Sequence, residues 1–123
     1  MSLTRAVRGA ITVENDTAED IKSATVEMLS AILERNSFEV FDIVYTEFTV
    51  TSDIKSATPA KFARTELGWN TVPLMVVNEF EFENSLKMSI RVLIVFNSEL
   101  SQNEIKHVYL KGAEKLRPDL KLK

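Results

Sequence analysis

The stretch Leu86–Asn97, LKMSIRVLIVFN, constrains the fold more than any other part of this chain. β-Branched and aromatic residues dominate it, and it is too short and too branched for a helix, so it reads as a strand. Side chains alternate across a strand, which puts Leu86, Met88, Ile90, Val92, Ile94 and Phe96 on one apolar face. Lys87, Ser89, Arg91, Leu93 and Val95 fall on the other. Beyond Arg91 both faces are apolar, so a central strand covered on two sides is expected. Arg91 then projects from the middle of a core strand. A guanidinium does not lose its proton in proteins, and leaving one buried and unpaired costs several kcal/mol, roughly. A negative group must meet it, either a protein carboxylate or a ligand. The strand alone does not choose between them.

The neighbouring segments supply the frame. Arg5–Glu14 (RAVRGAITVE) reads as a first strand, in which Gly9 marks a bulge or a close backbone approach. Arg8 beside it is either a surface arginine or a residue aimed at a ligand. Asp16 with Glu19, or Thr17 with Asp20, resembles a capping box and opens an amphipathic helix to about Asn36. Ile43–Thr51 is a second strand whose pattern breaks near Phe48, suggesting a bulge. Thr58-Pro59 starts a second helix and Gly68 stops it. Lys61 and Arg64 share one face of that helix, as a solvated basic edge or a two-point clamp for a carboxylate.

Val72–Phe82 reads as a third strand with Pro73 at an edge, and Asn84-Ser85 turns it back into the fourth as a hairpin. Glu79 is a candidate partner for Arg91 or an acceptor for a ligand hydroxyl. Ser101 with Glu104 forms another capping box, predicting a short helix to about Leu110, with a last strand over Ala113–Leu116. A basic tail, LKLK, follows.

Composition narrows the chemistry. A chain of 123 residues, 45% hydrophobic and 27% charged, is expected to form one domain over 1–123. The absence of cysteine excludes disulfides and thiolate metal sites. The single histidine, His107, has no second ligand or nucleophile beside it and is expected to be structural. A net charge of −3 argues against nucleic-acid or membrane-surface binding. No apolar run reaches the ~20 residues of a membrane span and no secretory leader is evident, so a cytoplasmic protein is expected.

The collinear segments Arg5-Ala-Val-Arg8-Gly9-Ala10, Thr12-Val13-Glu14, Pro59-Ala60-Lys61 with Arg64, and Gly68-Trp69 carry a resemblance. Val72-Pro73, Glu79, Lys87 with Ile90-Arg91-Val92, His107-Val108-Tyr109-Leu110 and Leu116-Arg117-Pro118-Asp119-Leu120 continue it across nearly the whole chain. The pattern resembles the AroH class of monofunctional chorismate mutases. The resemblance implies an α/β (α+β) fold, a mixed β-sheet packed with helices, assembled as a barrel-like trimer of the AroH-type, YjgF-like architecture. It implies three active sites in clefts between subunits and the Claisen rearrangement of chorismate to prephenate, without cofactor or metal.

By resemblance Arg91 reaches the ether oxygen and a carboxylate, Arg8 a carboxylate, and Glu79 the ring hydroxyl. Tyr109 assists binding, Lys61, Arg64 and Arg117 flank the cleft mouth, and Thr58, Ala60, Leu74, Met75, Val76 and Leu116 contact substrate. Two positions depart from the family: Val76 stands where a thiol is common, and Thr58 where an aromatic residue is usual. Both touch binding rather than the arginine chemistry. The same architecture also serves small trimeric proteins that bind or deaminate small molecules, which leaves a non-catalytic carboxylate-binding module as the alternative. The joint presence of Arg8, Glu79, Arg91 and Tyr109 favours the mutase, since a generic anion binder needs no such set.

Overall fold

Strand β1 (Leu3–Thr12) leads through helix α1 (Ala18–Asn36) to β2 (Ile43–Val50), which leads through α2 (Pro59–Leu67) to β3 (Leu74–Asn78). The chain returns as β4 (Ser89–Ser98) and reaches a three-residue strand, β5 (Val108–Leu110). This computed structural model describes residues 2–120. The strands form one mixed sheet in the order β3-β2-β4-β1-β5, and the fold is α+β. β4 runs antiparallel to both β1 and β2, while β2 pairs in parallel with β3 and β1 with β5. A parallel connection needs a crossover: α2 carries β2 to its neighbour β3, and α1 carries β1 past β4 to β2, both helices packing on a single face of the sheet.

Each helix is started by its own sequence. Thr17 caps α1, its side chain accepting from the Asp20 N–H at 3.1 Å, and acidic residues occupy the first turn. Asp16 has another task. Its carboxylate accepts the Lys55 and Ser56 N–H groups, both at 2.9 Å, and these donors hold its carboxyl below the usual range. Thr58 caps α2 ahead of Pro59, and Gly68 closes it in the left-handed region at φ 71°.

The core lies between the helices and one face of the sheet. Ile90, Val92, Ile94 and Phe96 of β4 pack there with Val7 and Ile11 of β1, Phe48 of β2 and Met28 and Ile32 of α1. Gly9 belongs to the same face and lies under α1. A Cβ there would stand 2.6 Å from Ile32 Cδ1 and 3.3 Å from Val92 Cγ1, so this glycine permits close helix packing; β1 pairs regularly through it, without a bulge.

Several expectations are corrected. β4 is central, but only one of its faces is covered: Arg91, Leu93 and Val95 remain half-buried on the face away from the helices. β3 and β4 do not form a hairpin. β2 lies between them, and residues 79–88 cross the end of the sheet as a loop in which Asn84 and Met88 adopt positive φ. Both edges of β4 are filled by β1 and β2, the partners offering it the longest pairing, which leaves the five-residue β3 to the outer edge of β2. The register irregularity in β2 falls between Ile43 and Tyr45, ahead of Phe48.

The expected helix after Ser101 is also absent. Its capping box forms, yet it closes only a 3-10 turn at Gln102–Glu104 before the chain extends as β5. The edge of β1 explains this, because its backbone groups require partners. Gln102 donates from Nε2 to the Ala6 carbonyl at 2.7 Å and accepts the Ala6 N–H at 3.0 Å. His107 Nδ1 accepts the Arg8 N–H at 3.0 Å, and Val108–Leu110 then pair with Gly9–Ile11. Side chains thus begin a ladder that backbone completes. Ala113–Leu116, expected as a strand, instead belong to the 3-10 turns of Lys111–Leu116. Of the basic tail, residues 121–123 lie outside the described residues. Among the described residues no helix is long and apolar enough to cross a membrane.

Candidate active site

The uncovered face of the sheet gathers the polar residues that the core excludes. Strand register sets two rows across it: Arg8–Leu93–Glu47–Met75 and Ala10–Arg91–Thr49–Val77, with Tyr109 beyond Ala10 on β5. Period-two alternation on five strands therefore brings together residues from distant parts of the chain. A cleft of about 180 Å³ opens among Arg8, Glu47, Thr49, Arg91, Leu93 and Tyr109.

Arg91 meets a carboxylate. Its Nε lies 3.0 Å from Glu79 Oε1, with 40% of the Arg91 side chain and 15% of the Glu79 side chain exposed. The contact is an ion pair, not an aligned hydrogen bond: the Nε–H finds no acceptor in good geometry. Thr49 Oγ1 donates to the same Oε1 at 2.9 Å, and the Glu79 N–H donates to the Val50 carbonyl at 2.8 Å. Glu79 does not line the 180 Å³ cleft itself. It stands on the wall of an adjoining hollow of about 230 Å³, with Thr51, Phe80, Leu86 and Lys87. Arg91 lines one space and Glu79 the other, so the ion pair links their walls.

Arg8 is exposed and makes no ion pair among the described residues. Beneath it, His107 is held by the Arg8 N–H bond, which requires a lone pair on Nδ1. Burial lowers the imidazole pKa from its ordinary 6.5, and the nearby charges of Arg8 and Arg117 lower it further. The folded pKa lies below the unfolded one, so as pH falls the unfolded chain takes the proton first. The His107 contribution to stability is complete above about pH 6.5 and is lost as pH falls through the lowered folded value. Acid titration of unfolding by denaturant is expected to show this decline, with a shallower slope in His107→Gln; equal slopes would remove the residue from the linkage.

Other candidates distribute unevenly. Leu116 packs, with Leu86, against the small cluster of Ala10, Tyr109 and Ala113, placing it beside the cleft. Arg117 forms a two-point pair with Asp119 at 3.1 and 2.9 Å. Thr58, Ala60, Lys61 and Arg64 belong to α2 and its cap, on the helical side of the sheet, away from Arg8 and Arg91 of the same chain. Ala60 is buried and Thr58 is occupied by the cap. Leu74 and Val76 pack against the core, whereas Met75 lies on the uncovered face, 62% exposed. Glu47 and Thr49 were not among the sequence candidates. Only the register of β2 against β4 puts them on the cleft wall.

The arrangement is a cleft on an open sheet face, lined by two arginines and a tyrosine, with a glutamate paired to one of the arginines at its border. Comparison with known proteins gives the family of the chain. The family model for chorismate mutase type I matches residues 4–120. The chain is 44% identical over 119 residues to chorismate mutase AroH of Thermus thermophilus, covering 96% of this chain and 97% of that one. It is 39% identical over 118 residues to chorismate mutase AroH of Bacillus subtilis, covering 96% and 93%. A solved chorismate mutase from Clostridium thermocellum superposes with a TM-score of 0.86 at 42% identity, over 89% of this chain and 97% of the other. The chain belongs to the chorismate mutase type I family.

Proposed function

We propose that this chain is a chorismate mutase, an isomerase of aromatic amino acid biosynthesis, working as a single domain that trimerises with its own copies. The observation that carries the reading is the pairing of Arg8 and Arg91 on one sheet face beside Tyr109, with Glu79 against Arg91, in a chain of this family. Chorismate is a dicarboxylate, so two fixed guanidinium groups complement it despite the acidic net charge of −3. In the rearrangement the C–O bond breaks ahead of C–C formation, and negative charge grows on the ether oxygen. Arg91 stabilises that charge more than it stabilises the ground state, which is what catalysis requires.

Holding the enolpyruvyl arm over the ring adds an orientation term. A millionfold acceleration needs about 8 kcal/mol, of which one preorganised contact supplies roughly 3–4. Electrostatics and positioning are adequate in scale. Arg8 binds a carboxylate, Glu79 accepts from the ring hydroxyl, and Tyr109 and Leu116 close the wall.

What a single chain leaves unfinished supports the trimer. Tyr45 and Met75 are exposed on the uncovered face and Leu93 and Val95 half-buried, a surface that a second copy would cover. Lys61, Arg64 and Thr58 sit on the helical side, so they reach a cleft only from a neighbouring subunit; Met75 lies on the uncovered face where copies would meet, and Ala60, Leu74 and Val76 back these contacts from the core. Arg117 flanks the mouth.

Loss of chorismate absorbance on mixing with the purified protein tests the activity, and sedimentation tests the assembly. Turnover by a trimer is expected, nearly flat between about pH 5.5 and 9, with His107→Gln retaining most of it, because no proton moves. Binding without turnover would establish the carboxylate-binding module instead, and an active monomer would refute the shared site.

A further inference from the structure

We propose that Thr49 is a positioning residue for this reaction, acting through Glu79; the proposal rests on the mutase reading above. Register places Thr49 directly beside Arg91 on the neighbouring strand, and both side chains converge on one atom, Glu79 Oε1. The hydroxyl donates at 2.9 Å, while the Arg91 Nε–H, 3.0 Å from the same oxygen, is not aligned with it. The hydrogen bond that orients the carboxylate is therefore the threonine's. Two groups on Oε1 leave Oε2 as the oxygen that accepts from the substrate hydroxyl. The Glu79 backbone is fixed independently through the Val50 carbonyl, so Thr49 governs the side chain and not the loop.

A threonine in this role also protects the arginine. With the hydroxyl gone, Oε1 retains only the guanidinium, whose Nε–H can then rotate into line with it. That rotation draws Arg91 toward Glu79 and away from the cleft. Thr49 thus keeps Glu79 close enough to order Arg91 but occupied enough not to capture it. Nothing in the amino-acid pattern of β2 announces this role, because its sequence partner lies thirty residues further on, across the sheet.

Three variants test the assignment by steady-state turnover of chorismate. Thr49→Val, nearly isosteric, is expected to lower kcat/KM about tenfold, the scale of one hydrogen bond to a charged group. Thr49→Ser restores the donor and is expected to stay within threefold of wild type. In a Glu79→Ala background Thr49→Val is expected to add less than twofold, since its effect passes through the carboxylate. A Thr49→Val enzyme within twofold of wild type, or an equal fall in both backgrounds, overturns the proposal. Carbon-13 resonances of the glutamate carboxyls, assigned with Glu79→Gln, give a readout independent of turnover: Thr49→Val is expected to move the Glu79 signal and Thr49→Ser to leave it. An inert wild type would defeat the mutase reading, whereas an unmoved signal in Thr49→Val would defeat the Thr49 contact alone.

Discussion

Arg91→Lys is expected to lower kcat by about a hundredfold to a thousandfold, the effect of removing one preorganised contact to charge that develops in the transition state. Lysine keeps the positive charge, but its ammonium is a point donor. It cannot span two oxygens with the planar fork that guanidinium presents. The change falls mainly on kcat because the lost contact strengthens along the reaction coordinate. The fold should persist: β4 is held by β1 and β2, and the Arg91 side chain is 40% exposed, so its truncation leaves no sealed cavity. Steady-state kinetics with circular dichroism of the same preparation separate the two. A folded variant within threefold of wild type would remove Arg91 from the mechanism.

The second large effect concerns stability, and it arises far from the cleft. Asn36, at the end of α1, is 2% exposed and makes three hydrogen bonds. Its Nδ2 donates to the Ile32 carbonyl at 2.9 Å and to the Lys106 carbonyl at 2.9 Å, and its Oδ1 accepts the Lys106 N–H at 2.6 Å. One amide thus ties the helix to the segment that delivers His107 and Tyr109 to the sheet. Asn36→Ala strands both backbone groups of Lys106 and is expected to cost about 3 kcal/mol. At fixed protein concentration that corresponds to a fall in Tm of about 10 °C. A fall under 2 °C would show that water replaces the amide at no cost. Local proteolysis around residues 105–117 should rise before global unfolding, since β5 pairs with β1 over only three residues.

Much of this protein is legible in its sequence where neighbours along the chain decide the outcome. The caps at Thr17 and Thr58, the stop at Gly68 and the apolar face of β4 from Ile90 to Phe96 follow from local hydrogen bonding and side-chain period; Leu86 and Met88, expected on that face, fall in the loop ahead of the strand. Arg91 in a core strand called for a negative partner because burial of a fixed charge is costly, and Glu79 is that partner. What the sequence could not decide was which strand edge each segment would fill. The run after Ser101 carried a sound helical start, but the unsatisfied edge of β1 drew Val108–Leu110 into the sheet. The turn at Asn84-Ser85 suggested a hairpin, but β2 had already taken that side of β4. Thr49 and Glu47 entered the cleft for the same reason. Strand pairing is a competition among distant backbone groups, settled by total burial and hydrogen bonding. Local pattern fixes what each segment can be, and tertiary contact fixes what it meets.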